Sequence, residues 1–172
     1  AEKKAVKPAS SMDEQPEWIQ NGGRYDKGIG ALGTSLDSGM GTQVQRVDAL
    51  LSGRNDLAKT IDSKVQSAIS QTRQRLIEQG VAGASELGTL QTQNTARQLV
   101  NSRIKNSPMI KQWKDPVNGE LTVWVIIEQE DIDRMQGDVL GKVIRKRLKE
   151  ADKEHDETIT KTFNEEFQKQ FR

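Results

Sequence analysis

The chain has 172 residues, no cysteine, one histidine and a formal net charge of +1, with 33% hydrophobic and 30% charged residues. Near-neutral charge removes the electrostatic case for nucleic acid, and the missing cysteines remove disulfides and thiolate metal sites. A mean hydropathy of −0.76 is polar for one compact globule, so one domain is expected, with segments that are extended or devoted to self-association.

Residues 1–15 have almost nothing to bury and read as a flexible tether. The chain opens on Ala1 without a methionine, and trimming and signal-peptide removal are the two readings of that start. Pro16-Glu17-Trp18-Ile19 then sets two large apolar residues after a proline. They either pin the tether onto the domain or form a docking peptide for a neighbouring subunit.

Gly28-Ile-Gly-Ala-Leu-Gly33 matches the spacing of a dinucleotide-binding turn, which needs a hydrophobic strand before it and a helix opening at it. The preceding Gly22–Lys27 stretch is polar, and Asp48, at the offset of a ribose contact, falls inside a helix. The segment reads instead as a glycine-rich strand, Ile29 to Leu36, packed closely against another element. Thr42-Gln-Val-Gln45 has the form of a capping box. Beyond it Val44, Val47, Leu51, Ala58, Ile61, Val65, Ala68 and Leu76 recur at helical spacing, predicting one amphipathic helix from about Gln43 to Gln79, ended by Gly80. Gly53 is a candidate kink within it.

Residues 80–91 read as a loop excursion. Thr95 to Lys114 carries Leu99, Ile104, Met109, Ile110 and Trp113, and reads as a long bent strand in which Pro108 marks a bulge or an open edge. Asp115-Pro-Val-Asn-Gly119 supplies turn signals that close a hairpin onto the next strand, with Trp113 near Trp124. That strand, Leu121 to Glu128, has Leu121, Val123, Val125 and Ile127 on one face and Trp124 and Ile126 on the other. A strand apolar on both faces belongs inside a sheet.

Glu128, Glu130, Asp131 and Asp133 gather where the next helix starts, a placement the helix dipole favours without a metal. The helix buries Ile132, Met135, Val139, Val143 or Ile144, and Leu148. A basic run, Lys142 to Lys149, and an acidic one, Glu150 to Glu157, follow; the basic run could touch phosphates or anionic lipid, but alternating signs along a helix are usually a solvated, salt-bridged face. Ile159, Phe163, Phe167 and Phe171 then recur every four residues. This stripe is either core of the same monomer or, as aromatic anchors favour, a contact between subunits.

Enzyme motifs are missing: His155 is the one histidine and lies among acidic residues, no Walker loop is present, and the carboxylates are dispersed among lysines and arginines. The sequence therefore gives no catalytic residues, cofactor or metal. The fold expected is α+β, a small antiparallel sheet with a long helix in strand-helix-strand-strand order. The domain spans 16–149, and 150–172 is a C-terminal helical extension.

Four patterns occur in order: Pro16-Glu17-Trp18 closing a tether, Gly28-Ile29-Gly30 opening the first strand, Arg54-Asn-Asp-Leu-Ala58 in mid-helix, and Val123-Trp-Val-Ile-Ile-Glu128 running into Asp131-Ile-Asp133. Together they resemble the 20-kDa outer-membrane lipoprotein family, most closely its flagellar basal-disk members. The resemblance covers roughly Pro16 to Leu148. It implies a noncatalytic protein, lipidated on a cysteine just before Ala1 and held at the periplasmic face of a Gram-negative outer membrane. It further implies a homo-oligomeric ring or disk around the flagellar motor, touching other motor proteins and taking no small-molecule substrate. Ile159, Phe163, Phe167, Phe171, Trp18 and Pro108 are the expected oligomer contacts, and Ala1 marks the tether. The alternative is a periplasmic adaptor or surface lipoprotein that holds a protein partner without assembling.

Overall fold

The computed structural model describes residues 15–148 and 155–172. Ala1 and all of the tether but Gln15 lie outside the described residues, as do Lys149 and most of the acidic run. The fold is α+β, with one small three-stranded antiparallel sheet, a long helix and C-terminal helices. It divides into two compact units, 15–57 with 107–127, and 58–106 with 128–148 and 155–172.

The first unit holds a short helix α1 (Glu17–Gln20), strand β1 (Gly28–Ser35), the beginning of helix α2 (Thr42–Glu78), and strands β2 (Met109–Lys114) and β3 (Leu121–Glu128). The order β1-β3-β2 makes β3 central. Only that position buries both of its apolar faces, and Leu121, Val123, Val125, Ile126 and Ile127 are all buried. Strand β2 pairs antiparallel with β3, Met109 opposite Val125 and Lys111 opposite Trp124, with a register shift that leaves Ile110 as a bulge. Trp113 stands opposite Thr122. The hairpin turn is tied by Asp115, whose N–H donates to the Glu120 carbonyl at 2.8 Å and whose carboxylate accepts from Val117 N–H at 2.8 Å. Gly119 supplies the positive φ of +71° that the turn requires.

Glycines set how closely β1 approaches α2. A Cβ on Gly33 would collide with the Ala49 carbonyl oxygen and the Gly53 backbone nitrogen, and one on Gly53 would lie 2.9 Å from Val125 Cγ2. Strand and helix therefore touch backbone to backbone, and Gly53 serves this contact inside an unbroken helix. The glycines of the Gly28–Gly33 run lie within β1 itself, so that run is a packing motif rather than a turn between a strand and a helix.

Two expectations need correction here. Thr42 is the first helical residue and Gly41 holds the cap position, its carbonyl accepting from Gln45 N–H at 3.2 Å. The Gln45 side chain does not reach back to close a capping box. Its amide donates to the Ser35 and Gly119 carbonyls at 3.0 and 2.7 Å, joining the ends of β1 and the hairpin. Second, the first half of the long bent strand is helix: α3 covers Leu90–Ile104, and only Met109–Lys114 is strand.

The second unit contains the rest of α2, a 3-10 turn at Ala84–Gly88, α3, then α4 (Gln129–Val139), a π-helical turn (Leu140–Ile144), α5 (Arg145–Arg147) and α6 (Asp156–Gln170). At 37 residues α2 is roughly 55 Å long, at about 1.5 Å per residue. It ends as a Schellman motif, with Gly80 N–H on the Ile77 carbonyl, Val81 N–H on the Leu76 carbonyl, and Gly80 at φ +74°. Residues 80–91 are a structured link, in which Val81, Ala84 and Leu87 are buried. The π turn carries one extra residue past the apolar face of α4. Val143 and Ile144 are both buried.

Candidate functional site

The C-terminal stripe belongs to the core of the second unit. Ile159 is 3% exposed, and Phe163 and Phe167 are fully buried. Their rings are 5.7 Å apart, and Phe171, half-buried, stacks on Phe167 at 4.4 Å. Polar contacts fix α6 along its length. Arg145 reaches the Thr160 hydroxyl at 2.7 Å, and the Gln136 amide donates to Asn164 at 2.9 Å. Arg75 pairs with Glu165 at 2.9 Å and with the buried Glu166 at 3.0 Å. Lys64 Nζ donates to the Gln170 carbonyl at 2.8 Å and lies 5.8 Å from the Phe171 ring centre, which caps the negative end of the helix with a cation. The hydrogen bond from Arg75 holds the Glu165 carboxyl below the usual glutamate value, and the same bond raises the Arg75 guanidinium.

Trp18 is likewise engaged inside the first unit. It stacks on Trp124 with ring centres 5.7 Å apart, Tyr25 meets Trp124 edge-on, and the Trp124 indole N–H donates to the Gly23 carbonyl at 2.6 Å. This aromatic cluster pins α1 to the sheet. Pro108 is exposed at the edge strand, and its carbonyl accepts from Ile126 N–H at 3.1 Å. The proline, the bulge at Ile110 and the exposed Lys111 and Lys114 blunt that edge against further strand pairing.

The acidic cluster at the start of α4 is compensated by Arg134, which reaches Glu130 at 2.6 Å and Asp131 at 3.4 Å. Among the described residues no group of three carboxylate or histidine side chains is placed to hold a metal, and no helix is long and apolar enough to cross a membrane. A groove of about 690 Å³ lies between α3 and the π turn, with Leu99 on its wall and Lys142, Arg145 and Lys146 around it. Lys142 and Arg145 already face Asp138 and Asp156.

Sequence periodicity missed the most distinctive surface of the first unit. The residues α2 buries there are Gln45, Ala49, Gly53 and Leu57, a row that steps by four. Val44, Val47 and Leu51, read from the sequence as part of the buried stripe, point to water instead, and Leu36 and Met40, in the segment just before the helix, are exposed as well. The available signal was the pair Gly33 and Gly53, since the face with the smallest side chains is the one a neighbouring backbone can approach most closely.

A scan against known protein families finds no match, and a search of curated proteins finds none either.

Proposed function

We propose that the chain is a noncatalytic structural protein that assembles with copies of itself at the periplasmic face of a Gram-negative outer membrane, held there by an N-terminal lipid, as a ring or disk around the flagellar motor. The observation that carries the assembly reading is the uncovered apolar row on the first unit. A polar chain gains little by holding five large apolar side chains in water unless another surface covers them. The family resemblance carries the membrane and flagellar part. Arg54, inside the mid-helix pattern, donates twice to the Ser107 carbonyl at 3.0 and 2.8 Å. The structural use of the glycines and of the aromatic cluster is consistent with a scaffold.

Multi-angle light scattering with negative-stain microscopy on one sample tests the assembly. Rings, arcs or sheets support it. A mass that stays monomeric at every concentration favours the alternative, an adaptor whose apolar row meets a different protein. Mass spectrometry of the N-terminus of protein isolated from outer-membrane fractions tests the anchor, with a diacylglyceryl-cysteine as the expected result.

A further inference from the structure

We infer that the groove between α3 and the π turn binds one small amphipathic anion, with an acyl chain along the α3 wall and an acidic head group against Lys142 and Lys146. This is independent of the self-assembly reading. The groove lies within the second unit and measures about 690 Å³, inside the roughly 300–1,000 Å³ of small-molecule sites. Its lining is divided. The wall from α3 is uncharged, with Leu99 as its apolar side chain and Thr95 and Gln98 as neutral neighbours. The wall from the π turn and α5 carries Lys142, Arg145 and Lys146, and no carboxylate lines the groove among the described residues.

Two of the three cations have charge to offer a ligand. Lys146 has neither an ion pair nor a hydrogen bond among the described residues. Lys142 makes only a long contact with Asp138, at 4.0 Å, and that carboxylate is already held by Arg103 at 2.7 and 3.1 Å. Arg145 is committed to the Thr160 hydroxyl at 2.7 Å and to Asp156 at 3.4 Å. Gly141 keeps the groove open. A glycine weakens a helical segment relative to alanine, and close packing does not require this one, since an added Cβ would have no atom within 4 Å. Any side chain there would take up space in the groove that Gly141 lines. The π turn itself belongs to a rare class of helical turn that concentrates at functional sites.

The size and the one-sided charge select the occupant. Seven residues line the groove, whereas a protein partner engages about 20–30 a side. Inorganic phosphate would leave the Leu99 wall uncovered, and a neutral amphiphile would leave Lys146 without a counter-charge. An acyl chain ended by a phosphate or carboxylate meets both walls, and a charge-assisted contact with a lysine is the stronger kind of hydrogen bond.

Calorimetric titration of the full chain with dodecyl phosphate below its micellar concentration tests this, with inorganic phosphate, dodecyl maltoside and phosphatidylglycerol vesicles as parallel arms. The expected result is one dodecyl phosphate per chain, with inorganic phosphate and the maltoside each roughly tenfold weaker or more. Lys142→Gln combined with Lys146→Gln removes the head-group contact. Gly141→Leu fills the groove, leaves the charges in place and improves helix propensity, so a loss in it does not come from a weakened helix. Both variants should bind dodecyl phosphate at least tenfold more weakly, with circular dichroism unchanged. Equal binding of inorganic phosphate or of the maltoside would overturn the proposal, because head or chain would then count for nothing. Parent-like binding by Gly141→Leu would place the amphiphile elsewhere and overturn it too. Binding to the vesicles without binding to monomeric dodecyl phosphate would also overturn it, and would assign the basic face to a membrane surface instead.

Discussion

At Gly33 one hydrogen atom in place of a methyl group decides whether β1 can reach α2. A Cβ there meets backbone atoms of Ala49 and Gly53, which cannot rotate away as a side chain can. Gly33→Ala is therefore expected to lower stability by about 3 kcal/mol or more, the upper end of overpacking costs, in a denaturant titration followed by tryptophan emission. Gly137 is the opposite case. It lies within α4 with nothing within 4 Å of an added Cβ. Gly137→Ala should raise stability by about 0.5–1 kcal/mol, because the substitution only removes backbone freedom from the unfolded chain. The two glycines look alike in the sequence, and the space around them separates them.

At the scale of elements, α6 is attached by a buried aromatic stripe and by a charged clasp at Arg75. The lowered Glu165 carboxyl favours the ionised form in the folded chain. Its contribution is present above the ordinary glutamate value and is lost as pH falls through the lowered folded value. Arg75 stays charged throughout. Arg75→Gln also strips the main partner from Glu166, leaving it Lys169 at 3.2 Å, and loss of a partner by a buried carboxylate costs about 1–3 kcal/mol. The difference between parent and Arg75→Gln stability should thus be largest near neutrality and shrink on acidification below about pH 4, where carboxylates protonate. Urea titrations of both proteins across that range measure it. Elements built on large apolar residues were legible beforehand: β3, the hairpin, the end of α2 at Gly80 and the inner face of α4. Helix α3 was not, because its buried row is Thr92, Ala96, Val100 and Ile104, half of it small or polar, while the conspicuous Leu90 is 70% exposed. The uncovered face of α2 was hidden for the converse reason: large apolar residues suggest burial, yet the buried row there is Gln45, Ala49 and Gly53. The candidate site was legible only in part. Trp18 and the phenylalanine stripe were found as residues, and burial within their own units gave them structural work. The stripe that faces water was seen and placed on the wrong side of its helix.

For the whole molecule, the aromatic residues fall by unit. Trp18, Trp113, Trp124 and Tyr25 belong to the first unit, and Phe163, Phe167 and Phe171 to the second. Tryptophan emission therefore reports on the sheet and the start of α2, while far-UV circular dichroism is weighted to the helices of the second unit. Each unit has its own core, Leu57, Leu121, Val123 and Val125 in one, and Ile61, Val65, Met135, Phe163 and Phe167 in the other. Helix α2 contributes to both, and helix formation is cooperative along a chain. Phe167→Ala opens a cavity in the second core alone and should cost about 3–5 kcal/mol there. If two cores confer two stabilities, the stability read by dichroism falls by that amount while the stability read by emission falls less, so the separation between the two probes changes from parent to variant. Equal shifts would mean that α2 transmits the loss in full and that the two units unfold as one cooperative body. We expect separation, because the backbone contact of Gly33 with Ala49 and Gly53 and the stacking of Trp18 on Trp124 do not depend on any residue of α6.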